Sequence, residues 1–472
     1  MTQLRSRIAL IAFIIPIFLL LALSQLAWCT VYVHWSDPQL PAASSLGVSN
    51  IVLTWKEGIS PVAATARKQG YKVYVETPIL QAKPAADEGV KAGWAGVILD
   101  IPESESMESE QRAAELRITY PKLQFVLLNR GGKPPDMRGS IIVKRNSVLE
   151  VSSPTAQPWI DTNLALIKVE QRSRRSQVPL YTFSWEDQGQ LRTLSADDYS
   201  LAAAEAGAFH ADLILQLDEN LQQALNHHDA KAWALWNQVQ SMLKFSSNKA
   251  DALEPAANVA VVVDHLDASD EVLNLLSRHN IPFQVFLAAE LERENFQGFD
   301  VLVMFAKPEK ELGERIKDLA TSGKTVVVVD AHGSYPWQNS QPVPENEHTT
   351  SYSVGNGKIL ELSEPVTDPE VFAQDIRRLL GKRNSLLNLW NGLTTIAVPY
   401  KDHAGTVRLV EFVNYASEPV RVQVQVKGSF QSVRYESPER PCCESLTPVK
   451  HDGFTEFVIP ELRIAGRIHL EP

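Results

Sequence analysis

The stretch YKVYVETPILQAKPAADEGVKAGWAGVILDI, residues 71–101, contains two short apolar runs separated by an amphipathic segment. This pattern is typical of a strand, a crossover helix and a second strand in a parallel sheet. Further runs of the same kind occur between residues 50 and 217. They read NIVLTW, LQFVLLN, GSIIVK, SVLEVS, PLYTFSW and ADLILQL. The eight runs together predict a (β/α)8 TIM-like barrel, although GSIIVK and SVLEVS lie too close together for a full helix between them.

Two further units follow the predicted barrel. NVAVVVDH, residues 258–265, opens a second alternation of Val-rich runs and helices after the linker NKADALEPAAN, and it predicts a doubly wound, flavodoxin-like α/β domain. From about residue 384 apolar and polar residues alternate, which predicts a small antiparallel β-sandwich. The expected boundaries are a leader over 1–30, the barrel over 31–256, the α/β domain over 257–383 and the sandwich over 384–472.

Composition excludes some classes of partner. The chain has 472 residues, 44% of them hydrophobic, which is enough for several packed cores. It carries 45 Lys and Arg against 56 Asp and Glu, a formal net charge of -11. This charge repels phosphate backbones, so we expect no nucleic-acid partner.

The first thirty residues predict export. Arg5 and Arg7 precede an apolar run that begins at Ile8 and continues, with two polar interruptions, to Cys29. The run fits a signal peptide cleaved after the Ala22-Leu23-Ser24 triplet, or a membrane anchor over residues 8–28. Both alternatives place the rest of the chain outside the cytoplasm, where it is periplasmic, secreted or anchored to the inner membrane.

The sequence lacks the motifs that identify several common enzyme classes. Beyond the leader the only cysteines are Cys442 and Cys443, and adjacent cysteines cannot join distant segments. Their surroundings, ERPCCESL, contain no further ligand at zinc-site spacing, so we interpret them as a loop pair and expect neither a metal nor a cofactor. The sequence also lacks H-E-x-x-H, G-x-S-x-G and P-loop motifs.

Three motifs stand out in the predicted C-terminal strands: Asn414-Tyr415 at a strand end, the Ser437-Pro438 turn and the closing-strand entry Ile459–Leu462. These motifs and the order of the units resemble β-galactosidase-type glycoside hydrolases. The resemblance implies a barrel that acts on carbohydrate, a class I amidotransferase-like middle domain and a C-terminal sandwich. Because no cysteine lies between residues 30 and 441, the middle domain cannot be a thiol-dependent glutaminase. The resemblance implies a structural role there, or self-association into a homo-oligomer.

Candidate site residues are those that follow the predicted strands, because barrel enzymes place their catalytic groups at the carboxyl ends of the strands. Glycoside hydrolysis uses two carboxyl groups on either side of one bond. The catalytic candidates are therefore Glu186, Asp100 and Glu76. The candidates for substrate binding are Trp55, Trp185, Asn129, Arg130 and Asp218.

The resemblance also exposes a departure from the family's mechanism. It implies an acid/base glutamate after an asparagine at the fourth strand and a nucleophilic glutamate at the seventh. Glu186 matches the second position, but Asn129 is followed by Arg130, and arginine does not donate a proton usefully at neutral pH.

Three alternatives remain open at the level of sequence. Asp100 or Glu76 could serve as the acid beside Glu186, or the barrel could bind sugar without cleaving it, in a cleft lined by Trp55, Trp94 and Trp185. The carboxylates could also be solvated strand ends of a cell-envelope scaffold. An arginine that fills the cleft would favour a non-catalytic barrel.

Overall fold

The computed structural model describes residues 29–101, 106–138, 142–145, 148–151, 158–174, 177–185, 193–247, 253–264, 269–308 and 310–472. The apolar leader run up to residue 28 and Glu186 lie outside these ranges. Within the described part of the chain no helix is long and apolar enough to span a membrane.

Seven parallel strands of the described residues close into a barrel. They are β1 (Val31–His34), β2 (Asn50–Thr54), β3 (Lys72–Pro78), β4 (Gly96–Asp100), β5 (Gln124–Asn129), β10 (Leu180–Tyr181) and β11 (Asp212–Gln216). β1 closes the barrel by pairing with β2 on one side and with β11 on the other. Four short strands form two antiparallel pairs between β5 and β10, and they are β6 (Asp136–Arg138), β7 (Ile142–Arg145), β8 (Val148–Val151) and β9 (Trp159–Asp161).

Within the part of the chain that the structure describes, the predicted count of eight barrel strands is therefore corrected to seven. GSIIVK and SVLEVS supply β7 and β8, which pair with each other in antiparallel orientation. β7 ends at Arg145 and β8 begins at Val148, whereas neighbouring parallel strands need a crossover of about a dozen or more residues. β1 is missing from the predicted strands because its four residues follow directly on the apolar leader.

Helices surround the barrel and hold its outward-facing residues in one core. They are α1 (Ala43–Leu46), α2 (Ser60–Lys68), α3 (Ala82–Ala92), α4 (Ser106–Thr119), α5 (Leu164–Ser173), α6 (Ala196–Ala208), α7 (Glu219–Asn226) and α8 (Ala230–Ser246), with a 3-10 turn at Ile79–Gln81. Ser195 caps α6 in a reciprocal capping box with Asp198, and Asp229 caps α8. The core around the barrel is continuous with residues of the C-terminal sheets, among them Tyr400 and Leu409.

The middle of the described chain forms a seven-stranded sheet covered by helices. The elements are β13 (Val259–Val263), β14 (Phe283–Leu287), β15 (Val301–Met304), β16 (Thr325–Val328), β17 (Pro342–Pro344), β18 (Thr349–Val354), β19 (Gly357–Leu362), α9 (Asp270–Arg278), α10 (Lys310–Thr321) and α11 (Pro369–Asn384), with 3-10 turns at Ala288–Arg293 and Pro336–Asn339. The strand order is β14-β13-β15-β16-β19-β18-β17, and the first five strands in this order are parallel. α9 and α11 cover one face of the sheet, and α10 covers the other.

The C-terminal strands form two sheets with an apolar core between them. The strands are β12 (Glu254–Pro255), β20 (Leu387–Trp390), β21 (Thr395–Lys401), β22 (Val407–Asn414), β23 (Val420–Lys427), β24 (Ser432–Ser437), β25 (Arg440–Leu446), β26 (Val449–His451), β27 (Phe454–Leu462) and β28 (Ala465–Glu471). The first sheet has the order β12-β21-β22-β28-β24-β25, and the second has the order β20-β23-β27-β26. β12 comes from the predicted linker, which therefore adds a strand to the first sheet.

A buried carboxylate joins the C-terminal sheets to the barrel helices. Glu205 of α6 is fully buried and accepts hydrogen bonds from Thr162 Oγ1 at 2.6 Å, from Tyr415 Oη at 2.7 Å and from both nitrogens of Asn163. Burial raises the pKa of Glu205, and the donors act against that rise by favouring the charged form. Tyr415 belongs to the Asn-Tyr pair of the sequence resemblance, and here its hydroxyl connects the two parts of the fold.

Candidate functional site

The barrel interior consists of an apolar layer with a polar layer above it. Side chains of a strand alternate between its two faces, so a residue two positions further along faces the same side. The apolar layer contains Val126 and one further residue from each barrel strand, namely Tyr32, Val52, Tyr74, Ile98, Leu128, Leu180 and Ile214. Two residues later, at the carboxyl end of each strand, stand His34, Thr54, Glu76, Asp100, Arg130, Thr182 and Gln216, which we call the mouth ring.

Arg130 is the centre of the mouth ring. Its Nε lies 2.8 Å from Asp100 Oδ2, and its Nη2 contacts Glu76 Oε1. The Glu76 side chain is only 8% exposed, whereas Asp100 is 28% and Arg130 45% exposed. The arginine therefore pairs with both of the described carboxylates that the sequence nominates for catalysis.

Burial and charge act in opposite directions on this triad. Partial burial raises the pKa of Asp100 and lowers the pKa of Arg130, because a low dielectric disfavours each charged form. Arg130 places a positive charge beside Asp100 and Glu76, and an adjacent positive charge stabilises an anion. Arginine stays protonated across the physiological range. For Asp100 the effect of burial is the larger one, so the pKa of its carboxyl group is raised.

His34 brings an uncharged imidazole to the ring. Its Nε2 lies 3.0 Å from Thr54 Oγ1. Burial and, to a smaller extent, the charge of Arg130 together lower the pKa of His34 to about 4. A neutral ring presents one donor and one acceptor, so His34 can hydrogen-bond without adding charge.

Thr182 and Gln216 complete the other side of the ring. Thr182 Oγ1 donates to the Ile214 carbonyl at 2.9 Å and accepts from Gln216 Nε2 at 3.5 Å. The alternation that places Glu76 and Asp100 inside the barrel also places His34, Thr54, Thr182 and Gln216 there. Counting two residues beyond each inward-facing apolar position would have identified all four from the sequence.

Asn129 and Asp218 have other partners. Asn129 Nδ2 donates to Glu170 Oε1 at 2.8 Å, and its Oδ1 accepts from the Gly131 amide at 2.7 Å. Asp218 caps α7 by accepting from the Asn220 and Leu221 amides. Neither side chain belongs to the mouth ring.

The predicted aromatic residues pack mainly against the core around the barrel. Trp55 and Trp185 are half-buried and contact that core. Trp185 meets Phe183 and Tyr199 edge to face at 5.0 and 5.7 Å between ring centroids, and its indole donates to the Gln216 carbonyl. Trp94 precedes β4, at the amino end of the barrel, and only 3% of it is exposed.

Glu186, the predicted nucleophile, lies just beyond the described segment that ends at Trp185. The described strand that precedes it, β10, is the sixth barrel strand in chain order rather than the seventh. Asp100 ends the fourth strand, and Arg130 follows the fifth. The role assigned to Glu186 stays a prediction.

A cavity of about 620 Å³ lies at the opposite end of the barrel, lined by Cys29, Asn50, Asn237, Gln240 and Lys244 among others. It adjoins the point where the described chain begins. Barrel enzymes place their active sites at the carboxyl ends of the strands. The mouth ring is therefore a stronger candidate for the functional site than this cavity.

Comparison with known proteins identifies a fold and no family. No protein-family model and no curated protein sequence matches the chain. Among solved structures, the α-L-fucosidase isoenzyme 2 from Paenibacillus thiaminolyticus is similar over 94% of this chain and 100% of its own, with a TM-score of 0.58 and 10% identity. A β-galactosidase from Bacillus circulans sp. alkalophilus covers 94% of this chain and 99% of its own at a TM-score of 0.48 and 10% identity. The first likeness shows a glycoside hydrolase-like fold, and at this identity it shows the fold alone.

Proposed function

We propose that the mouth ring binds a carbohydrate, and that Glu76, Arg130 and Asp100 recognise it without acting as the carboxylate pair of a hydrolase. The contact of one guanidinium with both carboxylates carries this proposal. The fold adds support, because its similarity to an α-L-fucosidase extends over the whole of that chain.

The chemistry of the ring suits a neutral sugar. Each sugar hydroxyl both donates and accepts, and the ring offers carboxylate acceptors at Glu76 and Asp100 and donors at Arg130 and Gln216. Charge-assisted hydrogen bonds of this kind are stronger than neutral ones. Thr54 is exposed and gives access to the ring from solvent.

Hydrolysis by Glu76 and Asp100 alone is disfavoured by the same contact. A glycosidase needs one carboxyl group protonated, to donate to the leaving oxygen, and the other charged. Arg130 stabilises the charged form of both groups, so it acts against the rise that burial causes in the pKa of Asp100 and that an acid catalyst requires.

Hydrolysis with Glu186 is the second candidate function. The observation that favours it is the likeness to an α-L-fucosidase over that enzyme's full length. In this case Glu186 would attack the anomeric carbon, and Asp100 or Glu76 would act as the acid after the ligand displaced Arg130.

The same proposal includes the architecture and location expected from the sequence. The five parallel strands of the middle sheet follow the order second, first, third, fourth, fifth, which is that of flavodoxin-like domains. Together with the barrel and the C-terminal sheets, this order supports a β-galactosidase-type arrangement in which the middle domain is structural. We also propose that the protein is exported, on the basis of its leader.

Screening the purified protein against a glycan array and a panel of aryl glycosides tests both candidates. L-Fucose and its glycosides belong in the panel because of the fold likeness. Binding of a glycan without release of product supports the binding function. Turnover that is lost in Glu186→Gln would establish the hydrolase instead, and failure to bind or cleave any member would contradict both.

A further inference from the structure

Cys442 and Cys443 lie on β25, the outermost strand on its side of the six-stranded sheet. The structure joins them in a disulfide, and Cys442 is exposed. At the level of sequence this pair has no further ligand at zinc-site spacing. The fold changes that, because β25 pairs with β24 and brings residues of that strand beside the cysteines.

Glu436 is the residue that the pairing supplies. Tyr435 pairs with Glu444 and Ser437 with Arg440, and the irregular register between these two pairs places Glu436 opposite the cysteines. One carboxylate oxygen of Glu436 and the two sulfur atoms all lie within 4.8 Å of one another. Reduction of the disulfide would therefore leave two thiols beside this carboxylate, close enough for all three groups to approach one ion.

The charged groups around the cluster leave it open to a cation. Arg467 is paired with Glu411 at 2.7 and 2.9 Å, and Arg440 is paired with Glu444 and Glu461 at 2.6 and 2.8 Å. Their positive charges are therefore largely neutralised. Because Cys442 lies at the surface, an ion reaches the cluster without passing through the core.

The Glu436 carboxylate is also held in position. Arg467 Nη1 lies 3.4 Å and His469 Nε2 3.5 Å from the same oxygen, Oε1. Groups that orient a ligand in this way strengthen metal binding, because less side-chain freedom is lost when the ion arrives.

We propose that, in the reduced protein, Cys442, Cys443 and Glu436 bind one thiophilic divalent cation such as Zn²⁺ or Cd²⁺. Thiolates select soft and borderline ions, and a carboxylate completes a three-ligand set whose fourth position water can occupy. Oxidation of the pair removes both thiolates and abolishes the site. The proposal is independent of the function assigned to the barrel mouth.

The redox step balances with a dithiol as the reductant. Reduction breaks the bond between the two sulfur atoms and adds two electrons and two protons, while the dithiol becomes a disulfide. When the cation binds, it replaces the two thiol protons, which pass to solvent.

Titration of the full-length protein with Cd²⁺ tests the proposal. One sample is reduced with tris(2-carboxyethyl)phosphine and desalted under nitrogen, and the other is left oxidised. The ultraviolet charge-transfer absorption of cadmium thiolates reports direct bonding to sulfur, and equilibrium dialysis gives the stoichiometry. We expect one Cd²⁺ per reduced chain and none per oxidised chain.

Variants separate this site from other thiols. Cys442→Ser with Cys443→Ser should abolish binding, whereas Cys29→Ser, the matched control at the remaining cysteine, should leave it unchanged. Glu436→Gln should weaken binding by roughly tenfold or more while the thermal unfolding midpoint is monitored. No saturable absorption in the reduced protein, undiminished binding in the double cysteine variant, or unchanged affinity in Glu436→Gln would each overturn the proposal.

Discussion

Arg130 Nε lies 2.8 Å from Asp100 Oδ2, and the same guanidinium contacts Glu76 through Nη2. One arginine thus holds two carboxylates that approach from the ends of neighbouring strands. A glycosidase needs one carboxyl group protonated and the other charged, whereas the shared guanidinium favours the charged form of both. This relationship is the reason that we propose recognition rather than acid catalysis for the triad.

The first prediction concerns the stability of the triad. Arg130→Gln leaves two like charges close together, with Glu76 almost fully buried, so it should lower the free energy of unfolding by about 1–3 kcal/mol. This expected loss of unfolding free energy is smaller than that for breaking a fully buried ion pair, because Arg130 is 45% exposed. Thermal unfolding of the variant checks it.

Arg434→Gln is the matched control. Arg434 pairs with Glu471 at 2.6 Å, with 43% and 54% of the two side chains exposed. Loss of such a surface pair should cost less than about 1 kcal/mol. Equal effects of the two substitutions would contradict the central position of Arg130.

The second prediction concerns the contact between the barrel helices and the C-terminal sheets. Tyr415→Phe removes the hydroxyl that donates to Glu205 and leaves a buried carboxylate with one donor fewer, which should cost about 1–3 kcal/mol. Tyr71→Phe, which removes a hydrogen bond to the Pro41 carbonyl, should cost only about 0.5–1.5 kcal/mol. Thermal unfolding ranks the two variants, and the reverse ranking would show that Glu205 is not a principal connection.

The third prediction is a pH dependence at the amino end of the barrel. Burial raises the pKa of Asp212 to about 7, although its Oδ1 accepts from the Thr30 amide at 2.6 Å. An aspartate in the unfolded chain has a pKa of about 3.9, so between about pH 4 and 7 the folded state binds the extra proton. The contribution of Asp212 to stability is therefore present at low pH and is lost as the pH rises to about 7.

Asp212→Asn should remove this dependence and keep the acceptor for Thr30. Relative to the variant, the parent protein should lose on the order of 4 kcal/mol between pH 4 and 7.5. Thermal unfolding at several pH values measures the difference in the free energy of unfolding between the two proteins. The other titrating groups are present in both proteins, so their contributions to this difference largely cancel. Parallel pH profiles would mean that Asp212 is already charged at pH 4.

The fourth prediction is that His34 stays uncharged in mildly acidic solution. Its folded pKa of about 4 lies below the value of about 6.5 expected for an unfolded chain. Its contribution to stability is therefore complete above pH 6.5 and is lost as the pH falls towards 4. Nuclear magnetic resonance titration of labelled histidines, with His34→Asn to assign the signal, measures this pKa. A midpoint near 6.5 would place His34 in water rather than in the mouth ring.

Much of the fold follows from periodicity, and the errors have physical causes. The runs at NIVLTW and LQFVLLN became barrel strands because β-branched and aliphatic residues at those positions fill both faces of a parallel strand. GSIIVK and SVLEVS have the same local composition, but their short connection directs them into a hairpin. Local composition does not show which other strand a given strand will pair with.

The middle segment around residues 333–351 shows a different error. Its many Pro and polar residues are typical of a surface loop. In the structure Trp337 is fully buried and its indole donates to Glu361 at 2.5 Å, while β17 and β18 extend the sheet. One large aromatic residue and a distant carboxylate fix this segment, and the pairing is invisible in a single sequence.

The candidate site was predicted in part. Glu76, Asp100 and Arg130 follow apolar strands and were nominated on that basis, but their mutual contact depends on the register of three neighbouring strands. Trp94 illustrates the limit, since it is buried at the end of the barrel opposite the mouth ring. Adjacency in sequence to a strand does not reveal which end of the barrel a side chain occupies.

Calorimetric titration with the glycan that the array identifies tests the central claim most directly. The parent protein is compared with Thr54→Trp, which fills the mouth ring, and with Thr119→Trp, the same change at the exposed C-terminal residue of α4. We predict saturable binding by the parent and by Thr119→Trp, and at least a tenfold loss of affinity in Thr54→Trp. Equal affinity in all three proteins would contradict the claim that the barrel mouth is the carbohydrate site.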